Sequence, residues 1–307
     1  MGPISKKVIA GLKKAKNQNI IQFEELKEAK IYTDDLEKSV ATEEQLSDHD
    51  SLHAIYIYAQ NRVSVLVEQL ADLKSLSKLT GTLDQADDIY LPSSPPQSPL
   101  TQSYFTCWGF FDLSVGIKKE SFGTVIIDLL KNLKADQGLI KIIECMQNSR
   151  MGIFIHRGNI DRYVILEELI TGEEIKVFVP AGYEGKENEI WYVRLMPVPF
   201  PELNYGYSVA FTTPYILIDL DGDIGSSAKL EDWETFFDRN IREKSQKDRI
   251  KAYEFFMKYG KNKYFWNEYI FEGYVNYEDD MIMLAGFPDI PLSMPHSEES
   301  QKKRGEL

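Results

Sequence analysis

MGIFIHRGNIDRYVILEELITGEEIKVFVPAGYEGKENEIWYVRLMPVPFPELNYGYSVAFTTPYILID, the stretch from Met151 to Asp219, alternates short apolar runs with turn residues. Gly158-Asn159, Thr171-Gly172 and the segment from Gly182 to Gly185 interrupt it. Glycine reaches positive φ without steric cost and asparagine tolerates it, so these are turn signals. The pattern predicts strands over 152–156, 162–166, 175–179, 190–196, 207–213 and 215–219. Trp191, Val193 and Leu195 mark one face of the fourth, and Tyr207, Val209 and Phe211 one face of the fifth. Loops this short point to antiparallel neighbours in a curled sheet or small barrel.

Outward from this β-rich core, helices are predicted over 121–133 and 136–148 on one side. On the other they are predicted over 230–243, 247–259 and 264–275, with Gly260 placed to close the second of these. The aromatic run 104–113 reads as a further strand, and 281–285 as an edge strand or a buried terminal segment. The reading is an α+β domain over 104–292, followed by a flexible polar tail over 293–307.

Upstream, Pro92, Pro95, Pro96 and Pro99 lie among Ser, Thr and Gln, so 80–103 is read as a Pro/Ser-rich linker. Residues 1–79 read as a helical region. Ile4, Val8, Leu12 and Ala15 form one stripe, and an acidic helical stretch begins near Ile20. Ser47 and Asp50 have the spacing of a capping box, with Asp in place of Glu or Gln. Leu52, Ile55, Tyr56, Ala59, Val63, Leu66, Val67, Leu70 and Leu73 then follow helical periodicity. A helix of about 28 residues would be ~40 Å long and suits one arm of an antiparallel pair or an oligomer seam. Its Leu52, Tyr56, Val63, Leu66 and Leu70 are candidate partner-binding residues, as are Trp266 and Tyr269 in the aromatic segment 264–275.

The net charge of −13 repels polyphosphate over most of the surface. The distribution is uneven, however. Lys6, Lys7, Lys13, Lys14 and Lys16 occupy the first sixteen residues without one acid among them. Lys6, Lys7, Lys13 and Lys14 are therefore candidates for anion binding, to a phosphate backbone or an anionic membrane, and nucleic acid could be met only through this N-terminal segment. Cys107 and Cys145 make neither a disulfide framework nor a four-ligand zinc spacing. No apolar run reaches the ~18–20 residues needed to span a bilayer, and a secretory signal is not evident. Gly2 opens a myristoylation pattern that Lys6 breaks. These features favour a cytoplasmic protein.

Asp219, Asp221 and Asp223 alternate as in a calcium loop, but Ile224 stands where that loop needs Gly and Leu230 where it needs Glu. An acidic turn between a strand and a helix accounts for them. Asp161, Glu174 and Lys176 mimic an Asp…Glu-x-Lys nuclease constellation, whose acids hold a divalent metal. Here the acids would stand at opposite ends of a hairpin strand unless the sheet folds over. Glu268 and Glu272 lack the Glu-x-x-His partners of a di-iron site, and His49 with His53 lacks a third ligand. His156 could serve Cys107 or Cys145 as a base, yet nothing local marks either thiol as activated. Phosphate-loop, dinucleotide and serine-hydrolase signatures are missing. The residues thus favour a non-enzymatic adaptor or regulatory subunit that meets a protein partner or a second copy of itself and needs no cofactor. A metal-dependent nuclease or hydrolase and a nucleic-acid accessory protein are the alternatives.

Overall fold

The computed structural model describes residues 1–18, 40–90, 100–217, 229–243, 245–260 and 274–284. They fall into two compact units, each drawn from separate stretches of chain: the described residues of 1–92, 105–149 and 196–206, and those of 93–104, 150–195 and 207–307.

The first unit is helical. Its elements are α1 (Pro3–Gln18), α2 (Glu43–Leu46), α3 (Ser51–Leu70), α4 (Ser77–Tyr90), the second half of α5 (Gln102–Cys107) with a π-helical turn at Trp108–Asp112, α6 (Phe122–Leu133) and α7 (Gln137–Asn148). The stripe of α3 meets α6 and α7. Leu52, Tyr56, Ala59 and Val63 are buried there, as are Val125, Ile126 and Leu129 of α6 and Ile143 and Met146 of α7. Tyr56 also donates its hydroxyl to the Pro197 carbonyl. Ser121 and Asp136 cap α6 and α7, as helix-start chemistry requires.

Four local expectations are corrected in this part of the chain. The cap of α3 is Asp50, whose carboxylate accepts from the Leu52 and His53 amides at 3.0 and 3.3 Å. Ser47 instead closes α2, donating to the Glu44 carbonyl at 2.7 Å. The reciprocal capping box belongs to Thr42 and Gln45. The long helix ends at Leu70, short of the 28 residues expected, and the chain turns before α4. That helix covers 80–90, which composition assigned to the linker. Leu79 and Ala86 give it a buried face, extended by Leu76 just before its start, and helix-breaking chemistry begins only at Pro92. The aromatic run 104–113 is helical because Thr101 receives the Tyr104 amide at 3.2 Å, starting a turn that buries Tyr104, Trp108 and Phe111 in helical register. Residues 91–99 lie outside the described residues.

The second unit is built on β1 (Met151–Ile160), β2 (Tyr163–Glu168), β3 (Glu174–Phe178), β4 (Ile190–Met196), β5 (Ser208–Ala210), β6 (Tyr215–Leu217), β7 (Tyr274–Tyr277) and β8 (Ile282–Leu284). The order β1-β2-β3-β5-β4 closes on itself through β1–β4 pairing, making a five-stranded barrel. β6, β8 and β7 continue the sheet from β4. The α+β class with a small barrel is as the sequence predicts, but the pairing is mixed. β3 runs parallel to β5, and β6 parallel to β8. Ile282–Leu284 lies between two strands, so it is not an edge. Tyr274 and Val275, expected at the end of a helix, start β7.

Every second side chain of these strands points into the barrel. Phe154, Val164, Leu166, Val177, Trp191, Val193 and Ala210 make its core. Against β1 packs α9 (Gln246–Tyr259), which follows α8 (Leu230–Asn240). Trp233 and Phe237 of α8 are buried, and the Phe237 ring lies 5.2 Å from that of Tyr253 on α9.

Candidate functional site

Alternation decides which side chains face outward on β2 and β3. Val164 and Leu166 point into the core with Val177. Tyr163, Ile165 and Glu167 on β2, and Glu174, Lys176 and Phe178 on β3, therefore face out. Tyr163 and Phe178 are half-buried, with rings 6.5 Å apart. The parallel β3–β5 register brings Tyr207 beside them, 4.9 Å from Tyr163. Two cations rest on this aromatic surface. Lys176 Nζ lies 4.1 Å from the centre of the Tyr163 ring. The Arg162 guanidinium lies 4.9 Å from Phe178 and 5.2 Å from Tyr163. Each partly solvated cation–π contact is worth about 0.5–1 kcal/mol, enough to order the platform without burying it.

A bulge aims the adjoining hairpin. β1 gains one residue on β2 between His156 and Asn159, where Gly158 takes φ +109°. His156 is buried and pins the distortion. Its Nδ1 accepts from the Gly158 amide at 3.1 Å. Its Nε2 therefore carries the proton and donates towards the Glu184 carbonyl at 3.0 Å and Asn159 Oδ1 at 3.1 Å. The imidazole is satisfied on both nitrogens, which is a structural role and not that of a base for a thiol. Ile160 stands 53% exposed near the hairpin end.

The charges around the platform are mixed. Arg157 pairs with Glu167 at 2.7 Å, Arg162 and Lys176 cover the rings, and Asp161 and Glu174 are exposed nearby. Asp161, Glu174 and Lys176 do not converge as a metal site. Asp161 sits at φ +54° between β1 and β2. Glu174 pairs with Glu167, four residues along β3 from Phe178, about 13 Å at 3.3 Å per residue. No group of three potential metal ligands occurs among the described residues. Asp219, Asp221 and Asp223, like Trp266 and Tyr269, lie outside the described residues.

The predicted partner-binding stripe of α3 is spent on packing. Leu52, Tyr56, Val63 and Leu70 are buried and Leu66 is half-buried. The neighbouring side of the same helix instead borders a pocket of about 520 Å³, lined by Ala41, Leu46, Ala54, Ile55, Tyr58 and Ile142 among others. His49, which also borders it, stands edge-on to His53 at 5.5 Å. Burial, reinforced by the His49 charge, lowers the His53 pKa to about 4. Burial raises that of the Cys145 thiol, which keeps it protonated and unreactive. Lys6, Lys7, Lys13 and Lys14 are all exposed on α1.

No protein-family model matches this chain, and comparison with curated proteins and with solved structures gives no match. The site has to be read from its own chemistry. From the sequence, Tyr163, Phe178 and Arg162 are not singled out, and Tyr207 is taken only as the marker of a strand face. The period-two pattern carried half the signal, because it sets Tyr163 opposite in facing to Val164. Meeting Tyr207 depends on a parallel pairing that hairpin logic does not suggest.

Proposed function

We propose that this chain is a non-enzymatic interaction protein whose barrel offers the outer face of β2–β3 and the β1–β2 hairpin to a protein partner. The observation that carries this reading is the pair of half-buried rings Tyr163 and Phe178, backed by the buried Tyr207, with Arg162 and Lys176 stacked on it. Aromatic and arginine side chains dominate the binding energy of protein interfaces. They are rigid, carry large contact area, and are partly ordered before the partner arrives. The interleaved carboxylates Asp161, Glu167 and Glu174 favour a partner of mixed charge over a polyanion, which they would repel.

The test is affinity capture from native extract with the whole chain, comparing wild type with Tyr163→Ala and with Arg162→Ala. Leu133→Ala, at an exposed position of the helical unit, is the control. A hot-spot loss of at least ~2 kcal/mol weakens capture roughly 30-fold. The expected result is a partner held by wild type and the control, and released by both platform variants. Equal capture by all four proteins, or none by wild type, overturns the proposal.

A further inference from the structure

The first helix poses a separate question: why a protein of charge −13 keeps an acid-free, lysine-rich segment folded on its surface. α1 buries Ser5, Val8 and Ile9 and packs on α6. At about 100° per residue, Lys6, Lys7, Lys13 and Lys14 all fall on the opposite side, within about a third of the circumference and along ~12 Å of axis. All four are exposed. No ion pair to any of them occurs among the described residues.

The start of the helix is anchored by a carboxylate from another segment. Buried Glu120 accepts from the Ile4 and Ser5 amides at 3.0 Å each and from the Ser5 hydroxyl at 3.3 Å. Glu120 closes a tight turn in which Val115 and Glu120 exchange backbone hydrogen bonds at 2.9 and 3.1 Å. The tip of that turn is Gly116-Ile117-Lys118-Lys119, and Ile117 is fully exposed, at 104%. Lys118 and Met1 border one pocket, and Met1 is 63% exposed. An apolar side chain followed by two lysines thus stands at the N-terminal end of the lysine strip.

We infer that this face of the helical unit docks on an anionic lipid surface, with the lysines over acidic headgroups and Ile117 inserted between them. Lysine-only composition suits a diffuse layer of negative charge, which needs no directional donor. Arginine, which offers the bidentate geometry that phosphate and base recognition favours, is missing before Arg62. So is any aromatic ring on α1 on which an unpaired base could stack. A solvent-facing isoleucine at the tip finds no apolar partner along a phosphate backbone but gains transfer energy in the headgroup–acyl boundary. This inference does not draw on the barrel and stands apart from the function proposed for it.

The experiment is co-sedimentation of the whole chain with vesicles of phosphatidylcholine alone or mixed with phosphatidylserine, at low and high salt. The variants are Lys6→Gln/Lys13→Gln, Lys7→Gln/Lys14→Gln and Ile117→Ser, all at exposed positions, with circular dichroism confirming unchanged helix content. Binding is expected only with phosphatidylserine, and it should weaken with salt. Each lysine pair should change the partition constant roughly 30-fold, and Ile117→Ser about tenfold. Failure of wild type to sediment, equal binding to neutral vesicles, or undiminished binding by the lysine variants overturns the inference. So does a single-stranded oligonucleotide that binds through the same lysines while Ile117→Ser leaves vesicle binding unchanged.

Discussion

Replacing Glu168 by Ala should be among the most damaging single changes in the barrel unit. Arg150 meets this carboxylate through two hydrogen bonds, Nη1 to Oε1 at 2.5 Å and Nη2 to Oε2 at 3.1 Å. The two side chains are only 15% and 4% exposed. The guanidinium also lies 4.9 Å from the ring of Tyr253, whose hydroxyl accepts from the Ile153 amide at 3.2 Å. One ion pair therefore ties the start of β1, the end of β2 and α9 together. Burial disfavours the charged guanidinium, but the Glu168 hydrogen bonds outweigh it and leave the Arg150 pKa raised. Without Glu168 its nearest anion is Glu254, 3.9 Å away and half exposed, too solvated to compensate. Stranding one member of a buried pair costs about 3–5 kcal/mol.

At about 2–4 °C per kcal/mol for a unit of this size, Glu168→Ala should lower the melting temperature by roughly 6–20 °C. Thermal unfolding in a Trp108→Phe background would read this, since Trp191 and Trp233 are buried within the unit. The double variant Arg150→Met/Glu168→Leu, which removes both charges and keeps volume, should recover most of the loss. A cost below about 1 kcal/mol for Glu168→Ala, or a double variant no better than the single, would refute the reasoning.

Two further outcomes concern the helical unit. Burial lowers the His53 pKa to about 4 from an ordinary 6.5, so the unfolded chain binds the extra proton between those values. Stability is present above pH 6.5 and falls as pH drops towards 4, by about 1–2 kcal/mol once solvent screening of this part-exposed ring is allowed for. Urea midpoints of His53→Gln should be flatter across that window, and an unchanged slope would remove the assignment. Glu120→Ala should cost about 1–2 kcal/mol by uncapping α1 and speed hydrogen exchange at the Ile4 and Ser5 amides. Unaltered exchange there would mean that the carboxylate does not hold the helix.

How much was legible follows from the range of each interaction. The strands of 151–217 were readable because alternation and glycine turns are local, and β4 was predicted with its observed bounds. The run 104–113 was misread because its aromatics raise strand propensity, while the deciding signal was one cap at Thr101. The Pro/Ser-rich reading of 80–103 starts too early, because the prolines that carry it begin only at Pro92. Leu79 and Ala86 on the buried side of α4, with Leu76 just before it, carry the energy. The partner-binding stripe of α3 failed for a related reason. Periodicity shows that a helix has an apolar face, but not whether the same chain covers it. Barrel closure and the parallel β3–β5 pair join residues far apart in sequence, beyond what periodicity encodes.

That closure also explains why the platform stands where it does. β1 pairs with β4 only over Met151–Ile155, so the barrel wall uses the first half of the strand. His156 and Arg157 are still held to the segment before β4, through the Asn188 amide at 2.9 Å and a 3.5 Å contact to the Asn188 side chain. From Asn159 onward the strand pairs with β2 alone, and the bulge redirects it just there. The end of the hairpin is thus released from the wall, while the rings behind it stay fixed by their strands. A binding surface with a rigid base and a separately aimed tip adapts to a partner at little ordering cost. Shortening the hairpin by deleting Asn159 would remove the bulge and the aim it gives the hairpin end, while Ile160 keeps its place opposite Tyr163. Partner capture should then fall while Tyr163 and Phe178 remain in place. Capture unaffected by that deletion would restrict the interface to the wall and remove the hairpin from it.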